Sequence, residues 1–492
     1  MALSADALAI HKNQLTDRAL VLADAAHDLG GLPGLAIPYK ELCPKPLYEN
    51  MAALGVLGAL LCLDPAFITG LVAEKFGKKG EDVVAANRRV LAAAADWTRA
   101  RKASFACLAP PVARGKRIML HGNEAIALGG MAAGVDFCSF YPMTPGTSVI
   151  QTYIDHADRM GIVCEQAEDE IAAVIMALGA SYAGARPMVS TSGGGFALMV
   201  EGVSLSGMLE TPVTIVVAQR PGPATGLPTR TEQADLDLVL HAGHGEFPRA
   251  IFAPGTVEQC FHLAHKAVDT AERFQSPVFL LTDQFLADSY RDVAPFDLDA
   301  LPAVPRPLTT VSDPAGYVRY AVTEDGVSPR LVPGFCEATV VLDSDEHTPD
   351  GHITEDLAVR VTMQDKRMRK LSGLTKAALP PDVYGDPDGA TLFACWGSTL
   401  GAALEAAEAL AEKGEKAAVL HFPQVWPLVP DAFLPALRKA RRTVMVEGNF
   451  AGQLARLIRR ETGYVFDGRV NRYDGLPFTA AYILERLSCC DS

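Results

Sequence analysis

The chain has 492 residues, 49% of them hydrophobic and 21% charged, with a formal net charge of −14. No Lys/Arg run occurs, which argues against nucleic acid or an anionic membrane as a partner, because either needs a basic footprint. The length predicts roughly three domains, and the most apolar run, residues 51–63, is too short to span a bilayer.

The ten cysteines are scattered, with no C-x-x-C pair. No cluster has zinc or iron–sulfur spacing, so no metal site is expected on this chain. The first residues, MALSADALAIHKNQ, lack the basic start and apolar core of a secretory signal. A cytoplasmic protein with reduced thiols is the expectation.

In chain order, residues 1–40 give mixed signals, with helical patches and a Gly-Gly-Leu-Pro-Gly turn. Helices are predicted over 50–63, 66–74 and 83–100. The restriction before Pro65 and a polar connector at 75–82 separate them. Residues 108–115 (LAPPVARG) read as a linker, leaving 1–107 as a mainly helical region.

From 116 to 295, strand runs at 136–141, 161–165, 187–191, 212–218, 250–253 and 277–282 alternate with helical stretches at 123–133, 171–183 and 257–274. Such alternation predicts a doubly wound α/β domain with a buried parallel sheet, whose ligands bind at the carboxyl ends of the strands. Residues 296–388 are rich in turns and prolines and form a connecting excursion. Over 389–492 a second α/β pattern appears, with strands at 391–396, 416–421 and 443–447 and helices at 400–413, 431–441 and 451–462.

Several motif matches fail. Thr191-Ser-Gly-Gly-Gly-Phe196 lacks the lysine of a phosphate loop and the spacing of a dinucleotide fingerprint, and tight strand–helix packing is its simpler role. Ser344-Asp-Glu-His347 has no phosphate loop to serve. His241 and His244 do not fit H-E-x-x-H. Three loops remain, each following a predicted strand. FYPMTPGTSV (140–149) carries hydroxyls on a backbone stiffened by two prolines, with Thr147 and Ser148 as helix-capping candidates. Glu168-Asp-Glu170 opens a helix that is apolar or small nearly all round, which places a carboxylate at the mouth of a buried helix and raises its pKa. Arg220 ends the strand over 212–218 on a loop of three prolines and two glycines, suited to capturing a carboxylate.

YPMTP (141–145), EQAEDEIAA (165–173), TSGGGFALMVEG (191–202) and QRPGPATGLPTRTEQADL (219–236) together resemble the α subunit of 2-oxoacid:ferredoxin oxidoreductases, most closely the 2-oxoglutarate branch. The likeness runs from about 116 to 490 and includes VEGNFAGQLARLIR (446–459). Residues 50–100, with NMAALG and FGKKGEDVVAAN, are similar to the end of the γ domain often fused ahead of α, but its glycine-rich opening strand is missing. The N-terminal region thus resembles a truncated γ domain.

The resemblance implies a pyrimidine-type thiamine-diphosphate-binding domain over 116–295 and a transketolase C-terminal-like domain over 389–492. It implies an oxidoreductase that converts 2-oxoglutarate and coenzyme A to succinyl-CoA and CO₂ while reducing ferredoxin. The chain would work with a β subunit, as αβ or (αβ)₂, and that partner would bind Mg²⁺ and an iron–sulfur cluster. Glu170 aligns with the glutamate that meets the cofactor's aminopyrimidine, with Glu168 as a neighbouring rival and Tyr141 and Pro142 as further cofactor contacts. Arg220 and Thr144 match the groups that hold the substrate carboxylate, and Thr225 and Thr229 lie on the arginine's loop. A pyruvate or broad-range 2-oxoacid enzyme is the alternative within this chemistry. A non-catalytic scaffold for β is the alternative outside it.

Overall fold

A computed structural model describes the chain except residues 3, 17–18, 102–104, 106, 110–114 and 490–492. Two compact units result, Met1–Gly115 and Lys116–Ser492. The 108–115 linker falls mostly on residues outside those described.

In the first unit, helices Glu49–Leu60, Pro65–Phe76 and Glu81–Ala100 follow a short parallel pair, β1 (Val21–Asp24) and β2 (Gly34–Ile37). These strands lie in the stretch where the sequence signals were mixed, and at four residues each they are too short to show a clear period. Asp64 caps the second helix by accepting from the Ala66 N–H, with Pro65 at the first helical position. Gly55 lets the first and third helices touch, because a Cβ there would run into the Leu91 carbonyl. Leu22, Ile37, Val56, Leu60, Val90 and Ala94 form the core. Cys62 and Cys107 are joined in a disulfide, which departs from the expectation that all thiols are reduced.

In the second unit, β3 (Ile118–Leu120) pairs with β10 (Arg291–Val293) as a small antiparallel ribbon. Between them run β4 (Phe137–Phe140), β5 (Val163–Gln166), β6 (Pro187–Thr191), β7 (Val213–Gln219), β8 (Ala250–Phe252) and β9 (Pro277–Asp283). These six form a parallel sheet in the order β8-β9-β7-β6-β4-β5. Every residue of β6, β7 and β9 is buried, as helices on both faces require. The chain passes from β4 to β5 on one side and then to β6 on the other side of β4. The order therefore reverses at β4, and the carboxyl ends of β4 and β6 flank a switch-point crevice.

The second sheet takes β11 (Asp382–Tyr384), β12 (Thr391–Trp396), β13 (Ala417–Phe422), β15 (Arg442–Glu447) and β16 (Gly468–Asn471) in the order β11-β13-β12-β15-β16. Just after β13, β14 (Gln424–Trp426) crosses to the first sheet and pairs antiparallel with β8. Short-range pattern does not reveal this strand exchange. No helix among the described residues is long and apolar enough to cross a membrane.

The excursion over 296–388 is not all turn. It contains a 20-residue helix, Leu357–Lys376, whose buried side chains are Met363, Lys366, Arg367, Lys370 and Leu374. The positions follow a helical stripe, but three are cationic, so a search for apolar periodicity passes over them. The charges are matched inside the protein. Lys366 Nζ lies 2.6 Å from Glu210 Oε1, and Lys370 also pairs with Glu210. Arg319 donates to the Glu210 carbonyl at 2.8 Å. Burial alone would raise the Glu210 carboxyl, but Lys370 and Lys366 outweigh it and hold it at about 2.

Replacing Glu210 with Gln leaves two buried ammonium groups without a counter-charge. A loss of about 3–5 kcal/mol is expected in denaturant titrations near neutral pH. Because the folded value lies below the unfolded one, the Glu210 contribution is full above about pH 4.5 and fades as pH falls toward 2.

Candidate active site

The loop after β4 is held from two sides. Ser190 Oγ donates to the Gly146 carbonyl at 2.8 Å, and Asn123 Nδ2 donates to the Pro145 carbonyl at 2.8 Å and to Ser148 Oγ at 2.7 Å. A Cβ on Gly146 would lie 2.7 Å from the Thr191 carbonyl, so glycine allows the loop to rest on β6. The following helix begins at Thr147 with Gly146 as its N-cap and no side-chain capping bond. Thr147 and Ser148 are therefore not caps. Tyr141, Pro142 and Thr144 face outward, with Thr144–Pro145 in the cis form.

After β5, Asp169 adopts the extended cap conformation and accepts from the Ala172 N–H at 2.7 Å. Glu170 thereby becomes the first residue of the helix Glu170–Tyr182 and turns inward, with 3% of its surface exposed. Glu168, two residues earlier, is exposed. The Glu170 carboxylate sits against the glycine turn after β6, where a Cβ on Gly195 would collide with Glu170 Oε1 and Thr191 Oγ1. Oε1 is sealed and has no hydrogen-bond partner. Burial pushes the Glu170 carboxyl up, opposed by its own backbone N–H and aided by Asp169. A dry carboxylate oxygen without a donor is costly, and a donor on a bound molecule would satisfy it.

After β7, the Gln219 side chain is fixed by donating to the Thr282 carbonyl at 3.2 Å and accepting from the Asp235 N–H at 3.0 Å. Arg220 follows, and its Nη1 donates to the Thr144 carbonyl at 2.6 Å. The loops after β4 and β7 are thus joined by the arginine itself. Gly226 turns this loop back with φ +52°, and a Cβ there would strike the Pro221 carbonyl. Thr225 and Thr229 are exposed on it. Gly194 lies between the two loops, where a Cβ would be 3.7 Å from the Ala224 carbonyl and 4.0 Å from Met143 Sδ.

Glu170, Arg220 and the 141–146 loop therefore border one crevice. Sequence reasoning gave no role to two further carboxylates there. Burial raises Asp235 to about 6, with Arg220 opposing the shift. Glu232 is raised to about 7 by burial and by Asp235. Both lie in the 219–236 motif, but nothing local marks them as dry. Their segment is clamped from below by the last domain. The Gln233 side chain accepts from the Gly448 N–H at 2.8 Å and donates to the Trp396 carbonyl at 2.9 Å. Asn449 and Gln453 donate to the carbonyls of Gln233 and Ala234 at 3.1 and 2.7 Å.

The glycine turn has a direct test. Gly195→Ala places a methyl in the space held by Glu170 and Thr191, and denaturant titration should show about 1–3 kcal/mol of destabilisation. Gly179, inside the Glu170–Tyr182 helix, has open space at its Cβ position. Gly179→Ala should act in the opposite sense, by up to about 1 kcal/mol.

Residues 129–366 match the family described as "Pyruvate flavodoxin/ferredoxin oxidoreductase, thiamine diP-bdg", and residues 387–482 match "Transketolase, C-terminal domain". The 2-oxoacid:ferredoxin oxidoreductase 1 subunit alpha of Sulfurisphaera tokodaii is 37% identical over 77% of this chain, which spans 62% of that relative's length. The 2-oxoacid:ferredoxin oxidoreductase 2 subunit alpha of Aeropyrum pernix is 32% identical, with 94% of this chain and 76% of the relative covered. A solved structure of the 2-oxoglutarate:ferredoxin oxidoreductase of Magnetococcus marinus superposes with a TM-score of 0.91 at 32% identity, covering all of this chain and 87% of that one. In domain order and in fold, the chain belongs to the α-subunit family of the 2-oxoacid:ferredoxin oxidoreductases, and residues 129–366 match their thiamine-diphosphate-binding domain.

Proposed function

We propose that this chain is the α subunit of a 2-oxoglutarate:ferredoxin oxidoreductase that works with a β subunit, taking 2-oxoglutarate and coenzyme A to succinyl-CoA and CO₂. The observation that carries this is the buried, unpartnered Glu170 oxygen held against Gly195. The solved Magnetococcus marinus enzyme adds support, having been obtained with 2-oxoglutarate, coenzyme A and succinyl-CoA bound.

The residues present fit the pyrimidine end of thiamine diphosphate. An orphaned carboxylate in a dry crevice suits a ring nitrogen that must carry a proton, and Gly194 in the neighbouring turn has no atom nearer than 3.7 Å to its Cβ position. When bound, the cofactor supplies a nucleophilic carbon and an electron sink for cleaving the bond between a keto carbon and its carboxylate. Glu170 would hold the proton at that ring nitrogen. Its burial keeps water from competing for the same hydrogen bond. Tyr141 and Pro142 would wall the cofactor's side, while Glu168 is too exposed to share the role.

Arg220 would hold the 2-oxoacid carboxylate. Its Nη1 donates to the Thr144 carbonyl, which holds the guanidinium beside the loop after β4 and supports this reading. Thr144 would add its hydroxyl, with Thr225 and Thr229 further along the arginine's own loop. Mg²⁺, the iron–sulfur cluster and the contact with ferredoxin are assigned to the β partner. Tyr141, Ile171, Leu198 and Leu227 expose apolar surface around the crevice, as a face covered by a second subunit would. A cytoplasmic setting goes with this function. A broad-range 2-oxoacid substrate is the second possibility, favoured by the names of the Sulfurisphaera and Aeropyrum relatives. A pure scaffold would have no use for a dry, unpaired carboxylate.

Co-expression with a β chain and viologen reduction should show 2-oxoglutarate preferred over pyruvate, with turnover dependent on coenzyme A. Equal use of both substrates would instead mark a broad-range enzyme. In the same complex, Glu170→Gln should slow exchange of the thiamine C2 proton by about 10²–10⁴. Unchanged exchange would remove Glu170 from the role. Arg220→Ala should raise the 2-oxoacid KM by about 10–100-fold, with little change in cofactor affinity.

A further inference from the structure

The proposed chemistry leaves two titratable groups at the crevice unused, Glu232 and Asp235, and of these Asp235 touches the glycine turn. Its Oδ2 is shielded from solvent and has no hydrogen-bond partner. It presses on the glycine turn, where a Cβ on Gly193 would collide with both of its carboxylate oxygens. Its backbone is fixed by Gln219, the residue next to Arg220. The charged groups that act on this pair of carboxylates are Arg220, at the end of β7, and Glu232, on Asp235's own segment. The glycine turn and Gln219, which pack against it, are uncharged.

We propose that Asp235 takes up a proton from bulk water when the carboxylate of a 2-oxoacid occupies Arg220, so that an anion can enter a crevice already holding a carboxylate. The idea rests on Arg220 being the substrate anchor. Before binding, the arginine is the influence that keeps Asp235 ionised against its burial, and Asp235 sits at about 6. A bound anion neutralises the guanidinium and adds a like charge close by. Both changes favour the neutral acid. The balance is simple: one proton leaves water and bonds to an Asp235 oxygen, and no other bond changes. Asp235 is then a positioning residue, acting on substrate through Arg220.

Linkage sets the sign. Proton uptake on binding makes affinity fall as pH rises above the free value, by at most about tenfold per unit. With the αβ complex, viologen as acceptor and saturating coenzyme A, the 2-oxoacid KM should rise between about pH 6 and pH 8 while kcat stays nearly level. Asp235→Asn, neutral and of the same shape, should flatten that rise, and Asp235→Glu should restore it. An Asn variant that keeps the wild-type slope overturns the proposal. So does a wild-type KM that is flat with pH. A second measurement needs no variant: glutarate or propionate, unreactive carboxylates, added to the weakly buffered wild-type complex with a pH indicator. Uptake of up to about one proton per site is expected near neutral pH, and none overturns the idea. A complex that oxidises no 2-oxoacid would defeat the proposed function itself, whereas turnover with an unaltered pH slope defeats only the role of Asp235.

Discussion

The crevice depends on a side chain that is missing. Because Gly195 has no Cβ, the Glu170 carboxylate can lie against the turn after β6 beside Thr191 Oγ1. That contact decides the rest of the site's layout. Glu170 opens its helix only because Asp169 takes the capping position. The same helix is tied to β4 by Ser139 Oγ, which donates to the Ala173 carbonyl at 2.6 Å. Ser190, next to Thr191 on β6, holds the Gly146 carbonyl of the facing loop. One strand end thus fixes both the carboxylate and the proline-stiffened loop opposite it. Such preorganisation lets a buried charge act without reorganising solvent at the moment of reaction.

A second layer supports this arrangement from behind. Glu447 is fully buried and accepts from the N–H groups of Leu454 and Ala455 at 2.8 and 3.0 Å, and from Trp396 Nε1 at 3.1 Å. The segment after it, through Gly448 and Asn449, grips Gln233. The last α/β domain therefore serves the crevice by anchoring the loop that carries Glu232 and Asp235. The strand exchange by β14 and the buried Glu210–Lys366–Lys370 cluster fasten the two sheets and the long helix into the same unit. Buried ionic groups add little net stability over apolar ones, but once formed they are intolerant of losing one partner.

Legibility followed the kind of force involved. The six strands β4–β9 lie within two residues of their expected positions. For β6, β7 and β9 the reason is burial along their whole length, which favours apolar runs that need no partner to be recognised. The Leu357–Lys376 helix went unseen because its inward stripe is cationic, and only the distant Glu210 and Glu346 make those positions habitable. Thr147 and Ser148 had capping chemistry, but Asn123, in an earlier helix, claimed the Ser148 hydroxyl. The Cys62–Cys107 bond crosses 45 residues, and spacing alone does not suggest it.

By itself, the sequence determined the alternation of strands and helices, the motifs of an oxidoreductase α-subunit family, and the three strand-ending loops that carry Thr144, Glu170 and Arg220. Those are local properties: periodicity, proline and glycine placement, and residue type at a strand's end. Only the tertiary structure decided which of two neighbouring glutamates is dry, that Arg220 reaches the Thr144 carbonyl, and that Asp235 faces Gly193 with a sealed oxygen. Burial and electrostatic surroundings are set by residues far apart in the chain, so they exist only once the sheet has brought the loops together.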